Sequence, residues 1–487
     1  MKFNQDFKSR FRILKGGKIS LVVSALLCGA TVSFAAPSGG TVSSGTASIS
    51  HVGDITNITQ TTSKASINWQ SFSIAPSETV NFIQPSSTSI ALNRVTGTTS
   101  SLIEGALNAN GQVFLINPNG VLFANGAQIN TAGLVASTLN ITDENFQSGN
   151  YIFEGDSQNS VINKGTITST DAGYVAMVGK TVANEGAISA TMGRVELAGA
   201  SKVSLNLNGN SLVKLNIEQG VYDALVQNKG IIEANGGQVY LTTQALDEVL
   251  NGMVNNTGVV EAQTLGDITG EIVAFAHGGT ATIDGTLDAT GGFVETSGKV
   301  LGVKGTTTIK AKTWLLDPTN ITINSDGTGA ADGDQAVAAN TITTSLNAGT
   351  SVTLEATNDI TVNSAIGGWA PTAPVTLTLD AGNDININAN VGIENSVGGN
   401  TLKLTAGRDI KADAIISLGG GLNTFDFDAG RDININQNLS KSGGTDTFNF
   451  DAGRDINMGA TISGMANHSG DTLNFTATNN ININAQI

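Results

Sequence analysis

Three histidines, His51, His277 and His468, are the first side chains to test for chemistry. They lie far apart in unrelated contexts and read as turn or surface residues. No Gly-x-Ser-x-Gly elbow, phosphate-binding P-loop or zinc-ligand spacing occurs. A recurring aspartate, at Asp384, Asp409, Asp432 and Asp455, could stack into a carboxylate ladder able to hold calcium. Each of these follows Arg or Asn in a turn, which favours paired turn residues. Asp326 to Asp334 is loosely like a calcium loop, but it lacks a full ligand set and reads as a plain loop. Asn-x-Ser/Thr sequons at Asn57, Asn140, Asn255, Asn320, Asn438, Asn467 and Asn474 are acceptors only if a partner enzyme uses them. The expectation is no catalytic residue, no metal and no cofactor.

The block with the sharpest local chemistry is Asn110-Gly111-Gln112-Val113-Phe114-Leu115-Ile116-Asn117-Pro118-Asn119-Gly120-Val121-Leu122-Phe123. A strand at Val113 to Ile116 runs into a turn. Pro118 fixes φ at its second position, and Asn119 or Gly120 can adopt positive φ. The candidate site is Asn117, Pro118, Asn119 and Gly120, in a role of turn geometry.

The elements that position this turn are read from repeats. Ala381-Gly382-Asn383-Asp384-Ile385 recurs as Ala406 to Ile410, Ala429 to Ile433 and Ala452 to Ile456, with weaker copies from Ala356 and Ala477. From Asp359 through Asp384, Asp409, Asp432 and Asp455 to Asn480 the steps are 25, 25, 23, 23 and 25 residues, one turn of a solenoid rather than a propeller blade. Within each unit the apolar residues alternate: Phe448 and Phe450 point one way, Asn449 and Asp451 the other. One such unit cannot bury its apolar face, whereas stacked units can, and stacking also pairs the strand edges. A looser repeat appears earlier, as Asn163-Lys164-Gly165, Asn184-Glu185-Gly186, Asn228-Lys229-Gly230 and Asn256-Thr257-Gly258. The predicted fold is all-β, a right-handed parallel β-helix with asparagines able to ladder along it. A short helical excursion is expected at Ala245 to Leu250. At roughly 4.8 Å per rung the rod would be on the order of 100 Å long.

The N-terminus reads as a targeting segment. Lys2, Lys8, Arg10, Arg12, Lys15 and Lys18 precede an uncharged stretch from Ile19 to Phe34, and Ser33-Phe34-Ala35 supplies the small residues a signal peptidase reads. A cut between Ala35 and Ala36 leaves Ala36 first; a cut after Ala36 would place Pro37 beside the scissile bond. Residues 1–35 are the expected extended signal peptide. Their loss takes six positive charges and one negative, so the formal charge goes from −16 to −21. It also removes the sole cysteine, Cys28, and with it any disulfide or thiolate chemistry. An acidic chain argues against nucleic acid as a partner. Gly is 59 of 487 residues, above the usual share of about 7 %, as many tight turns require.

The Asn-Pro-Asn-Gly block resembles the secretion domain of two-partner-secretion exoproteins, the filamentous haemagglutinin family. So do Ile67-Asn68-Trp69-Gln70-Ser71-Phe72, Glu78-Thr79-Val80-Asn81-Phe82-Ile83-Gln84-Pro85, Ala91-Leu92-Asn93-Arg94-Val95 and Gly133-Leu134-Val135-Ala136-Ser137-Thr138. The earlier Asn-Pro-Asn-Leu motif of the haemagglutinin branch is absent. That absence, and Trp314-Leu315-Leu316-Asp317-Pro318, make the chain more similar to the high-molecular-weight adhesin branch. The resemblance implies a secretion domain at 36–265, a continuing β-helix or connector at 266–350 and β-helical repeats at 351–487. It implies export by the Sec translocon to the periplasm of a Gram-negative cell. A cognate outer-membrane β-barrel transporter with periplasmic recognition domains would then carry the chain to the surface or medium. The function it implies is that of a non-enzymatic adhesin or haemagglutinin-like protein, with a host glycan or glycoprotein as receptor. The alternatives are the stem of a haemolysin or contact-dependent inhibition toxin, or a polysaccharide-active β-helix enzyme.

Overall fold

The structure is a computed structural model that describes residues 36–244, 252–328, 336–394, 398–420, 422–464 and 470–484. The signal segment with Ala35 and Cys28, the stretch Ala245 to Leu250, His468 and Asn467 lie outside the described residues.

One column of parallel strands runs almost the whole length. It begins Lys64–Trp69, Ile90–Val95, Gln112–Ile116 and Gln128–Ser137, each strand paired in parallel with the next. It continues through Thr166–Gly179, Arg194–Gly199, Gln238–Gln244, Glu271–Ile283, Thr286–Val303 and Thr308–Asp317. It ends Ser351–Ala356, Thr376–Ala381, Thr401–Ala406, Thr424–Ala429, Thr447–Ala452 and Thr472–Ala477. A second column and, in the C-terminal half, a third complete each coil. The third is Ile366–Trp369, Val391–Ile393, Ile416–Gly419, Leu439–Ser442 and Ile462–Ser463. This is the parallel β-helix expected from the repeats.

Alternation fills the inside. Phe425, Phe427, Phe448 and Phe450 are all buried, and Phe425 stacks on Phe448 with ring centroids 5.1 Å apart. Their neighbours Asp426 and Asn449 stand one above the other on the outer face.

Glycines form the corners because successive rungs leave no room for a side chain there. A Cβ on Gly230 would sit 2.0 Å from the Gly186 carbonyl oxygen, and one on Gly430 would sit 2.2 Å from that of Gly407. The Asn-x-Gly and Ala-Gly-Arg-Asp repeats are therefore the same device on different coils.

The first coil is closed by antiparallel pairing. Thr41–Ser44 runs against Lys64–Trp69, and Ala47–Val52 forms a hairpin with Ile55–Gln60. Among the described residues two helices interrupt the stack, Asp143–Ser148 and Ala339–Asn347. The first is capped by Thr142, whose side chain accepts from Asn145 N–H, and it ends at Gly149 with φ +85°.

A second hydrophobic core lies outside the helix wall. The strands Ile90–Val95, Gln112–Ile116, Gln128–Ser137, Thr166–Gly179 and Arg194–Gly199 carry apolar residues on both faces, and the outward side chains Leu92, Phe114, Ile116, Val135, Tyr174 and Val178 are buried. The helix Asp143–Ser148 covers them together with an antiparallel sheet of Tyr151–Glu154, Lys202–Asn208 and Ser211–Gln219.

Candidate functional site

The blocks that carry the family resemblance come together on successive rungs: Lys64–Trp69, Ile90–Val95, Gln112–Ile116 and Gln128–Ser137. Polar side chains lock them to one another. The Trp69 indole donates to Asn93 Oδ1 at 3.0 Å, and Asn93 is fully buried. Arg94 donates to Asn68 Oδ1 at 2.9 Å, to Asn140 Oδ1 at 2.9 Å and to Asp143 at 3.0 Å, holding the N-terminus of the first helix against the wall. That contact and the Ser43 hydroxyl keep the Asp143 carboxyl below its ordinary range despite partial burial.

The Asn-Pro-Asn-Gly turn closes one of these rungs. Gly120 N–H donates to the Asn117 carbonyl at 2.9 Å, closing a four-residue turn with Asn first, Pro second and Gly fourth, the type I preference. Gly120 has φ +104°, whereas Asn119 keeps a negative φ. Asn117 is fully buried. Its Nδ2 donates to Thr99 O and Ser101 Oγ, both at 3.0 Å. Its Oδ1 accepts from Asn119 N at 2.9 Å and Asn119 Nδ2 at 3.1 Å. The second Asn119 proton reaches Gly97 O at 2.9 Å. The Pro118 carbonyl accepts from Ser157 Oγ at 2.6 Å and Asn159 Nδ2 at 2.9 Å. Only Pro118 is exposed at this corner, and Asn119 is half-buried. The four residues thus form a closed hydrogen-bonded plug between rungs.

Elsewhere the titratable groups form structural pairs. Arg408 is bonded to Asp384, Arg431 to Asp409 and Arg454 to Asp432, each Arg reaching the aspartate one rung back. The same aspartate oxygen accepts the N–H of the next aspartate in the row, as in Asp409 N to Asp384 Oδ1 at 3.2 Å. Arg408's hydrogen bonds hold the Asp384 carboxyl below its usual range. Asp326 accepts from Thr328 N and Oγ1 at 3.1 and 2.6 Å; most of the stretch after it, residues 329–335, lies outside the described residues. Among the described residues no cluster of three or more His, Cys, Asp or Glu could hold a metal ion. His51 and His277 are exposed on separate strands, His51 beside Thr56 Oγ1 at 2.9 Å and His277 against the Phe275 ring.

Sequence reasoning missed a buried charged network under the outer sheet. Arg194 Nε donates to Glu196 Oε1 at 2.5 Å, and the guanidinium carbon lies 3.9 Å from the Tyr240 ring centroid. Arg194 also reaches Val213 O at 3.0 Å and Gln238 Oε1 at 2.5 Å. Burial pushes the Glu196 carboxyl up to about 7, with Arg194 pulling against it. The available signal was a charged pair, Arg194 and Glu196, two apart inside an apolar strand.

The family model described as TPS secretion domain matches residues 33–289. The chain is 35% identical over 274 residues to a Heme/hemopexin-binding protein of Haemophilus influenzae (strain Rd), an alignment covering 53% of this chain and 29% of that protein. A second Heme/hemopexin-binding protein of Haemophilus influenzae is 30% identical over 247 residues, covering 46% of this chain and 26% of that protein. The chain therefore spans under a third of the length of the curated relatives it matches. Among solved structures, the HMW1 secretion domain from Haemophilus influenzae has the same fold. Its TM-score is 0.50 at 23% identity, with 93% of this chain and 99% of that chain covered.

Proposed function

From the premise that the chain belongs to the TPS secretion-domain family, and so is a two-partner-secretion exoprotein with a cognate outer-membrane transporter, we propose how it is exported and what it then does. It crosses the inner membrane through the Sec translocon, loses its leader between Ala35 and Ala36, and reaches the transporter unfolded. The transporter's periplasmic domains engage the N-terminal coils. The rod then forms rung by rung outside the cell, where burial of each new apolar face supplies the pulling free energy. Asn117, Pro118, Asn119 and Gly120 serve this process by closing an early rung.

The mature rod acts outside the cell by binding, without covalent chemistry. The observation that carries the choice of ligand is the likeness to proteins named for heme and hemopexin binding. On that reading the ligand is haem or a haem-carrying host protein. The adhesin reading is the second one. It is favoured by the long regular outer faces, where polar rows such as Lys403, Asp426, Asn449 and Asn474 run from rung to rung and suit many weak contacts with a repetitive glycan. The two separate in one pair of assays on mature chain starting at Ala36. Saturable binding of haem-loaded hemopexin or haemin, with no gain in bead attachment to epithelial cells, supports the first. Attachment without haem binding supports the adhesin. Neither response would overturn both and leave an exported stem.

A further inference from the structure

We propose that signal cleavage completes the fold: the α-amino group released at Ala36 is captured by the buried carboxylate of Glu78. This goes beyond the choice of ligand and rests on the export reading only for the bond that is cut.

Three observations carry it. First, Ala36 N lies 2.8 Å from Glu78 Oε2, and the same oxygen accepts from Ala75 N–H at 2.8 Å. Second, Glu78 is only 8% exposed, yet among the described residues it forms no ion pair. A carboxylate withdrawn from water to this degree is normally matched by a cation. Third, Ala36 has φ +64°. That left-handed conformation is unfavourable for alanine and more so immediately before Pro37.

The position of Ala36 is not adjustable. Just beyond it, Ser38 N–H donates to Ser71 O at 2.9 Å, Gln70 N–H donates to Ser38 O at 2.9 Å, and the two serine hydroxyls are 2.7 Å apart. Pro37 between them is buried. The chain therefore delivers the Ala36 nitrogen to Glu78 whether or not anything precedes it.

Cleavage changes what that nitrogen is. Hydrolysis of the Ala35–Ala36 peptide bond adds one water, leaving a carboxylate on the leader and an ammonium on Ala36. The neutral amide facing Glu78 becomes a cation with three donors. The part of the steric cost that arises from the preceding carbonyl also disappears, because no carbonyl precedes Ala36. An uncleaved chain reaches the same place strained and with Glu78 uncompensated. Processing and closure of the first coil are in this way linked, and Glu78 is the positioning residue.

The test uses full-length secreted chain. Intact mass first locates the mature N-terminus; a start other than Ala36 would overturn the proposal at the cleavage step alone. The α-amine is then acylated at pH 7.5 and its rate followed on the N-terminal peptide. The expected result is at least tenfold slower labelling in the folded chain than in urea, and recovery of about tenfold in folded Glu78→Gln. That variant keeps the burial and one acceptor, so burial alone predicts no recovery. Equal rates in the wild type and Glu78→Gln would overturn the capture. If Glu78→Gln does not fold, a mature chain carrying one extra Gly before Ala36 replaces it. Capture predicts faster amide exchange at Ser38 and Gln70 there, and unchanged exchange would overturn it.

Discussion

Asn117 uses both protons of its side-chain amide and places two donors on its oxygen, all inside the wall. Truncation to Ala leaves the buried Ser101 Oγ without its donor and Asn119 without its acceptor, a loss of about 1–3 kcal/mol. We expect Asn117→Ala to be synthesised normally and to fall several-fold in the medium when its transporter is present. Wild-type levels in a blot of the medium would remove the site assignment. The turn was legible in the sequence, since Asn, Pro and Gly at first, second and fourth positions specify type I chemistry. Its depth was not, because burial of Asn117 depends on rungs far along the chain. Glu196 yields a second prediction at this scale. Its folded carboxyl is raised to about 7 by burial, so the folded state holds the proton more tightly than the unfolded state. The associated stability is fully present below the ordinary carboxylate pKa near 4.5 and is lost as pH rises through about 7. Amide exchange over Arg194–Gly199 should accelerate from pH 5 to pH 8 beyond the intrinsic rate, and Glu196→Gln should flatten that excess. A pH-independent protection factor in the wild type would contradict it.

At the scale of elements, the Asn-x-Gly repeat marks a buried ladder. Asn163 Nδ2 donates to Asn184 Oδ1, Asn184 to Asn228 and Asn228 to Asn256, at 2.8, 2.9 and 2.8 Å, and all four residues are fully buried. The ladder stops where Ile283 takes the next register position. Asn228→Ala removes one donor and one acceptor from the middle of this chain and should cost about 2–4 kcal/mol, whereas Asn255→Ala, one residue from the ladder, should cost under about 0.5 kcal/mol. Urea midpoints of the two variants decide this. The coils were readable because each repeat contains its own corner glycine and its own alternation. The ladder's place inside the wall was not, since a repeat gives the rung without saying which face an asparagine turns to. The outer sheet and the helix Asp143–Ser148 escaped for a different reason. They are single insertions with no repeat, and their trace was the run of apolar residues on both faces of Gln112–Ile116 and its neighbours, which marks a strand buried on two sides.

Over the stack of coils, the parallel pairings join each coil to its neighbour. In the C-terminal half every strand of the main column pairs with one a coil further on, 23 or 25 residues away from Asp384 to Asp455. Such a chain can grow from a closed end without waiting for distant segments. The first coil is closed by antiparallel strands, whereas the last described rung, Thr472–Ala477, alternates exposed and half-buried, with Ile481 and Ile483 exposed beyond it. A chain cut after Ser463 loses one uncovered rung and exposes another, Thr447–Ala452, of the same kind. In a nearest-neighbour stack the penalty is confined to the new last rung. We expect this truncation to be exported at the full-length rate, with amide protection of the strands from Lys64 to Arg194 unchanged and a loss limited to the final one or two coils. The opposite outcome is informative at the same scale. If the cut lowers protection across residues 64–199, the rod folds as one cooperative unit, and stepwise growth from the first coil cannot be what draws the chain across the outer membrane.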